Sequence, residues 1–156
     1  MTLIKKIAAL KSVLLMIKMN TRGTGSFYDD ELDQFRRHQN VTFPNIDQHS
    51  TVLIKSADIV VNFASSIGLE AILQKKPVCN PVYLNGNTTI FDGSGVVFDA
   101  MDDNEVLHFF ETVKRGNHAR PTDEALNRFL EKYILGGETN GDVLQNYVKC
   151  FSKDVN

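Results

Sequence analysis

Two adjacent hydroxyls, a glycine and a carboxylate stand close together in this chain as Ser65, Ser66, Gly68 and Glu70. They follow a short apolar run, Ile59 to Val61, and lead into Leu69, Ile72 and Leu73 at helical spacing. That order predicts a buried strand breaking over Ser-Ser into a helix. The first N–H groups of a helix have no partner within it, and the positive end of its dipole favours an anion. A phosphate or diphosphate is the anion such a turn would take, with two serine hydroxyls as further donors. Gly68 would remove a side chain where the ligand comes close. An ordinary N-cap with no ligand is the competing expectation. Glu70 lies four residues after Ser66, one too many for a capping box. Its carboxylate would serve the helix dipole or accept both hydroxyls of a diol such as a ribose.

The elements that must position these groups alternate along the chain. Leu3, Ile7 and Leu10 predict a helix over 3–11, and the aliphatic run Val13 to Met19 a buried strand. A polar loop over 20–26, a surface helix over 30–38 and a short strand, Val41 to Phe43, follow. Asp47 is positioned to cap a helix over 48–56. After the strand at 58–62 and the helix at 66–75, Pro77 resets the chain into a strand from Val78 to Tyr83. Asp102 and Glu105 form a start signal before Val106, Phe109, Phe110 and Val113, with Gly116 as the stop. Thr122 begins a second helix ended by Gly136-Gly137, and Leu144, Tyr147, Val148 and Phe151 trace a third. Strands alternating with helices predict an α/β fold, Rossmann-like, with a mostly parallel sheet flanked by helices and a helical C-terminal part over 102–152. In such a sheet ligands sit beyond the carboxyl ends of the strands, where the Ser65–Gly68 turn falls.

Composition narrows the function classes. At 156 residues, with 42% hydrophobic and 23% charged residues, the chain reads as one globular domain over 1–156. A net charge of −2, without basic and aromatic residues interleaved, argues against a nucleic-acid partner. Lys5, Lys6, Lys11, Lys18 and Arg22 all precede the first acid, Asp29. Lys11 splits the apolar stretch there and no small-residue cleavage site follows, so the segment reads as folded structure and not as a signal peptide. Cys79 and Cys150 are far apart and outside any CxxC spacing, which suits a reducing, cytoplasmic setting. The four histidines, His38, His49, His108 and His118, lack metal-ligand spacing, and no metal or cofactor is expected.

The segment Asp58 to Val78 resembles the donor-binding element of GT-B glycosyltransferases. It reads Asp-Ile-Val-Val, then Ser-Ser-x-Gly-x-Glu-Ala, then Lys-Pro-Val. The likeness is greatest to bacterial capsule and surface-polysaccharide enzymes, and more distant to UDP-N-acetylglucosamine 2-epimerases. The resemblance implies that Ser65, Ser66 and Gly68 hold the diphosphate of a nucleotide-sugar and Glu70 its ribose. It places the loop carrying Asn87, Thr88 and Thr89 near the donor sugar or diphosphate. Lys18 and Arg22 fall where the family has a Lys-x-His-Pro-Arg-like loop, although Asn20 and Thr21 replace the histidine and proline. They would supply positive charge to an anionic donor.

The likeness covers about residues 3–150 but only the donor-binding half of such an enzyme. Acceptor binding and the catalytic base belong to an N-terminal half, so no catalytic residue is assigned. A fragment, a split enzyme's donor subunit or a sheet completed by a second chain is expected. A partner subunit or a second copy would then complete the site, and peripheral membrane association would come through that partner. Transfer would be metal-independent, since no DxD-like motif is placed for a metal. The alternatives are a non-catalytic nucleotide-binding or assembly module, or a relative of the epimerases.

Overall fold

The computed structural model describes residues 2–18, 29–45, 47–118, 120–136 and 142, the side chains of 29–32 excepted. The loop expected over 20–26 and the helix expected over 144–151 lie outside the described residues. The chain divides into two compact units, residues 1–57 and 58–156. Each is α/β, with its own small parallel sheet and helices around it, consistent with a Rossmann-like fold.

In the N-terminal unit, helix α1 (Thr2–Ala8) buries Leu3, Ile7 and Ala8, while Lys5 and Lys6 occupy its last turn, where the dipole favours cations. The side-chain amide of Asn40 then donates to three carbonyls, those of Ala8 at 2.9 Å, Leu10 at 3.2 Å and Val13 at 3.0 Å. This clamp keeps residues 8–13 as a turn. Strand β1 (Leu15–Met16) therefore starts later and is shorter than the apolar run alone suggests. It pairs in parallel with β2 (Val41–Thr42), Leu15 opposite Val41 and Met16 opposite Thr42. Helix α2 (Asp29–Arg36) connects them and contributes Phe35, fully buried against Ala8 and ringed by Ile4, Leu15, Ile17, Val41 and Phe43.

Helix α3 (Ser50–Ser56) corrects the start expected at Asp47. Its N-cap is His49, without a side-chain capping bond. Asp47 instead donates its N–H to Asn45 Oδ1 at 3.3 Å. The Lys18 ammonium holds the carbonyls of Gln48 at 3.0 Å and Asn45 at 3.4 Å. The approach to α3 is thus a turn organised by Asn45 and Lys18, and the helix begins after it.

In the C-terminal unit, β3 (Val60–Val61), β4 (Val78–Pro81) and β5 (Phe98–Ala100) form one parallel sheet in that order. Helix α4 (Ile67–Leu73) links the first two, and a single 3-10 turn, Val82–Leu84, follows β4. Val61 lies opposite Cys79 and Cys79 opposite Phe98, so Asn62, Asn80 and Asp99 fall level across the three strands. Apart from this row the core is apolar. Ala71, Ile72, Val78, Phe91, Val96, Val106, Phe109 and Phe129 are buried, with Phe98 stacked on Phe109 at 4.8 Å and Phe91 on Phe129 at 5.9 Å. Cys79 lies within it. Burial first, then the charges of Asp99 and Glu105, push its thiol up to about 12, so it stays protonated and inert.

Helices α5 (Asp103–Lys114) and α6 (Asp123–Tyr133) start where their polar signals stand. Asp102 accepts the N–H groups of Asn104 and Glu105, and Glu105 reaches back to the N–H of Met101 at 2.7 Å. Thr122 accepts from Ala125 N–H at 3.1 Å. At the far end of α5 the N–H of Asn117 bonds the carbonyl of Thr112 and that of Gly116 the carbonyl of Val113, with Gly116 at φ +73°. That is a Schellman stop. Helix α4 ends in the same bond pattern, Lys76 to Ala71 and Lys75 to Ile72, but the left-handed position at φ +56° is filled by Lys75. Lysine pays the left-handed penalty there that glycine avoids. Lys75→Gly is expected to raise stability by about 0.5–1 kcal/mol, read as a higher urea midpoint with an unchanged slope. An equal or lower midpoint would show that Lys75 makes compensating contacts.

Candidate functional site

Because β3, β4 and β5 are parallel, their carboxyl ends share one edge of the sheet. Three connections leave from it: Asn62 to Ser66, Val82 to Thr89, and Met101 to Asp103. The first contains the sequence-predicted turn. Val61 is the last residue of β3, and α4 begins at Ile67. The N–H of Asn62 continues the ladder to the carbonyl of Cys79 at 2.8 Å, and its Oδ1 then accepts the N–H of Ser65 at 3.3 Å. Between them the chain turns through Ala64 at φ +49°, a left-handed conformation that costs an alanine roughly 1 kcal/mol. The Asn62–Ser65 bond holds it there.

Several amides of this turn are bonded within it. The N–H of Ile67 bonds Ser65 Oγ at 3.3 Å, that of Gly68 the carbonyl of Ser65 at 3.1 Å, and that of Leu69 the carbonyl of Ser66 at 3.0 Å. Ser65 N–H is held by Asn62, so the amides of Ser65, Ile67, Gly68 and Leu69 are all bonded within the protein. Ser65 accepts at Oγ, and its own O–H remains a donor. Ser66 is exposed at the N-cap position and makes no capping bond with its side chain.

Gly68 is buried, and the space beside its Cα is filled by protein. A Cβ there would stand 2.7 Å from Asn62 Nδ2 and 3.0 Å from Phe91 Cζ. The glycine therefore admits Asn62 and Phe91, and the expectation that it clears a path for ligand gives way to a packing requirement. Glu70 is half-buried in the first turn of α4.

The loop beginning at Asn85 is anchored at both ends. Asn85 donates to Asn80 Oδ1 at 3.3 Å. The hydroxyl of Thr89 donates to Asp92 Oδ1 at 2.6 Å and its N–H to Oδ2 at 3.1 Å, while its Oγ1 accepts the N–H of Phe91 at 3.2 Å. Thr89 is thus an anchor, whereas Asn87 and Thr88 are exposed between the anchors. Hydrogen bonding to Thr89 first, then to Asn80, holds the Asp92 carboxyl below its ordinary value against the opposing effect of burial.

The fully buried Asn80 joins this loop to the sheet. Its Nδ2 donates to Asp92 at 3.0 Å and to Asp99 at 2.8 Å, and Asp99 in turn accepts the N–H of Gly93 at 2.7 Å. Asn62, Asn80, Asp92 and Asp99 carry the local architecture yet were not among the sequence-predicted residues. On the same edge Tyr83 donates its hydroxyl to Asp103, and burial together with that carboxylate pushes the phenol up.

Of the remaining sequence-predicted residues, Lys18 spends its ammonium on the Asn45 and Gln48 carbonyls of the N-terminal unit. Arg22 lies outside the described residues. Among the described residues no group of three or more His, Cys, Asp and Glu side chains is arranged to hold a metal. No helix among them is long and apolar enough to cross a membrane. Comparison with family models, with curated proteins and with solved structures gives no match.

Proposed function

We propose that the chain is the nucleotide-sugar-binding half of a cytoplasmic glycosyltransferase of surface-polysaccharide synthesis, with an acceptor-binding half supplied by another segment or subunit. One observation carries the reading. At the carboxyl edge of a parallel sheet, β3 breaks through a left-handed Ala64 into α4, presenting two serine hydroxyls one turn ahead of Glu70. Ser65 and Ser66 donate to the diphosphate, Glu70 accepts from the ribose, and Asn87 and Thr88 lie in the next loop along the same edge. Charge that develops on the leaving diphosphate during displacement at the anomeric carbon is stabilised by those fixed donors.

Calorimetry of the purified chain against UDP-, CMP- and GDP-sugars tests the proposal. One of the three nucleotides is expected to bind, without turnover by the chain alone. Glu70→Ala is expected to weaken that binding by about 1–3 kcal/mol, roughly 5- to 150-fold. Affinity unchanged in Glu70→Ala removes the ribose assignment, and no binding by any of the three removes the function.

A further inference from the structure

Charge is divided unequally along this chain. Residues 1–57 hold eight Lys and Arg against five Asp and Glu, whereas residues 58–156 hold nine against fourteen. The basic excess is concentrated at the start, where residues 1–28 contain five cations and no acid. Helix α1 displays part of it on a defined face. With Leu3, Ile7 and Ala8 buried, the exposed side carries Thr2, Lys5 and Lys6.

The turn that follows extends this surface. Asn40 fixes the carbonyls of Ala8, Leu10 and Val13, so exposed Lys11 sits at the tip of a held turn next to the α1 end that bears Lys5 and Lys6. Leu14 comes next and is 71% exposed, more than any other large apolar side chain among the described residues. Exposed lysines on α1 and its held turn, followed closely in the chain by a bare leucine, combine long-range attraction to anions with a group that gains by leaving water.

We propose that the α1 end and the 9–14 turn form a docking surface for an anionic lipid bilayer, with Lys5, Lys6 and Lys11 at the headgroups and Leu14 inserted beneath them. Charge complementarity selects a negative partner. The exposed leucine selects lipid over nucleic acid, since it has no role against phosphates in water but lowers its free energy at the headgroup–acyl boundary. The surface is independent of the nucleotide-sugar reading, and either can fail alone.

The test is sedimentation of the full chain with vesicles of phosphatidylcholine containing 30% phosphatidylserine, against pure phosphatidylcholine, at about 0.1 M salt. Binding at least tenfold stronger to the anionic vesicles is expected. Each lysine is worth roughly fivefold near such a surface, so Lys5→Glu/Lys6→Glu/Lys11→Glu should lose about 100-fold or more. Leu14→Ser should lose about tenfold while leaving the salt dependence unchanged. Lys114→Glu/Lys132→Glu changes net charge in the other unit and should keep binding; circular dichroism of each variant verifies its fold. Equal binding to both vesicles, no binding, an equal loss in the Lys114/Lys132 variant, or tighter binding to polyuridylate than to anionic vesicles would each overturn the proposal.

Discussion

Replacing Asn80 with alanine is expected to destabilise the C-terminal unit by about 3 kcal/mol at pH 7. Asn80 is fully buried, and its Nδ2 stands between two carboxylates, 3.0 Å from Asp92 and 2.8 Å from Asp99. Alanine removes the shared donor, opens a cavity and leaves like charges facing each other at the end of the sheet. It also removes the acceptor for Asn85 and so frees one end of the loop that presents Asn87 and Thr88. Urea unfolding followed by circular dichroism measures the loss.

The pH dependence separates electrostatics from packing. In the intact protein the carboxyl of Asp92 is held below the ordinary 3.8. Its contribution is therefore present above that value and is lost as pH falls through the lower folded one. In Asn80→Ala one of the bonds that lowers the Asp92 carboxyl is gone, so the deficit should shrink as pH falls from 7 through and below 3.8. A deficit constant over that range would assign the whole effect to the cavity. A deficit under about 1 kcal/mol would show that the bridge contributes little.

Gly68→Ala is expected to cost about 2 kcal/mol, although alanine is the better helix former by up to about 1 kcal/mol. The new methyl would lie 2.7 Å from Asn62 Nδ2 and 3.0 Å from Phe91 Cζ. Neither neighbour has room to yield. Asn62 is 2% exposed and holds the N–H of Ser65, while Phe91 is 2% exposed and stacked on Phe129. Shortening Asn62 should relieve the clash, so Asn62→Ser/Gly68→Ala should be more stable than the sum of its single variants by at least about 1 kcal/mol. Additive losses would mean that the turn accommodates the methyl by moving as a whole. Thermal unfolding of the four proteins decides between them.

How far the sequence reaches depends on what each element owes to its neighbours in the chain. The starts of α5 and α6 were legible because Asp102 and Thr122 act on amides two or three residues ahead. The Gly116 stop is equally local. Strand β4 begins where Lys76-Pro77 places it. Asp47 misled because the turn before α3 is set by Lys18, which is 27 and 30 residues from the carbonyls it holds. Strand β1 proved short for a similar reason, since the clamp on its leading turn comes from Asn40.

At the candidate site the strand–turn–helix was legible, whereas the bonding of its amides was not. At Ser65 that bonding depends on Asn62, whose role follows from its place at a strand end. A signal for the polar row was nevertheless present. Val60-Val61-Asn62, Val78-Cys79-Asn80 and Val97-Phe98-Asp99 repeat one pattern, an apolar pair closed by a polar side chain. Read together, the three repeats would have set the strands level.

The repeat has a consequence for how the chain folds. Parallel strands buried on both faces read as nearly uniform apolar runs and index one another weakly. If β4 slipped by one residue against β5, Asn80 would swing to the opposite face of the sheet, and Asp92 and Asp99 would lose their common donor. Three polar side chains abreast thus work as a key cut across the sheet, accepting a single alignment and making every misthreaded one expensive.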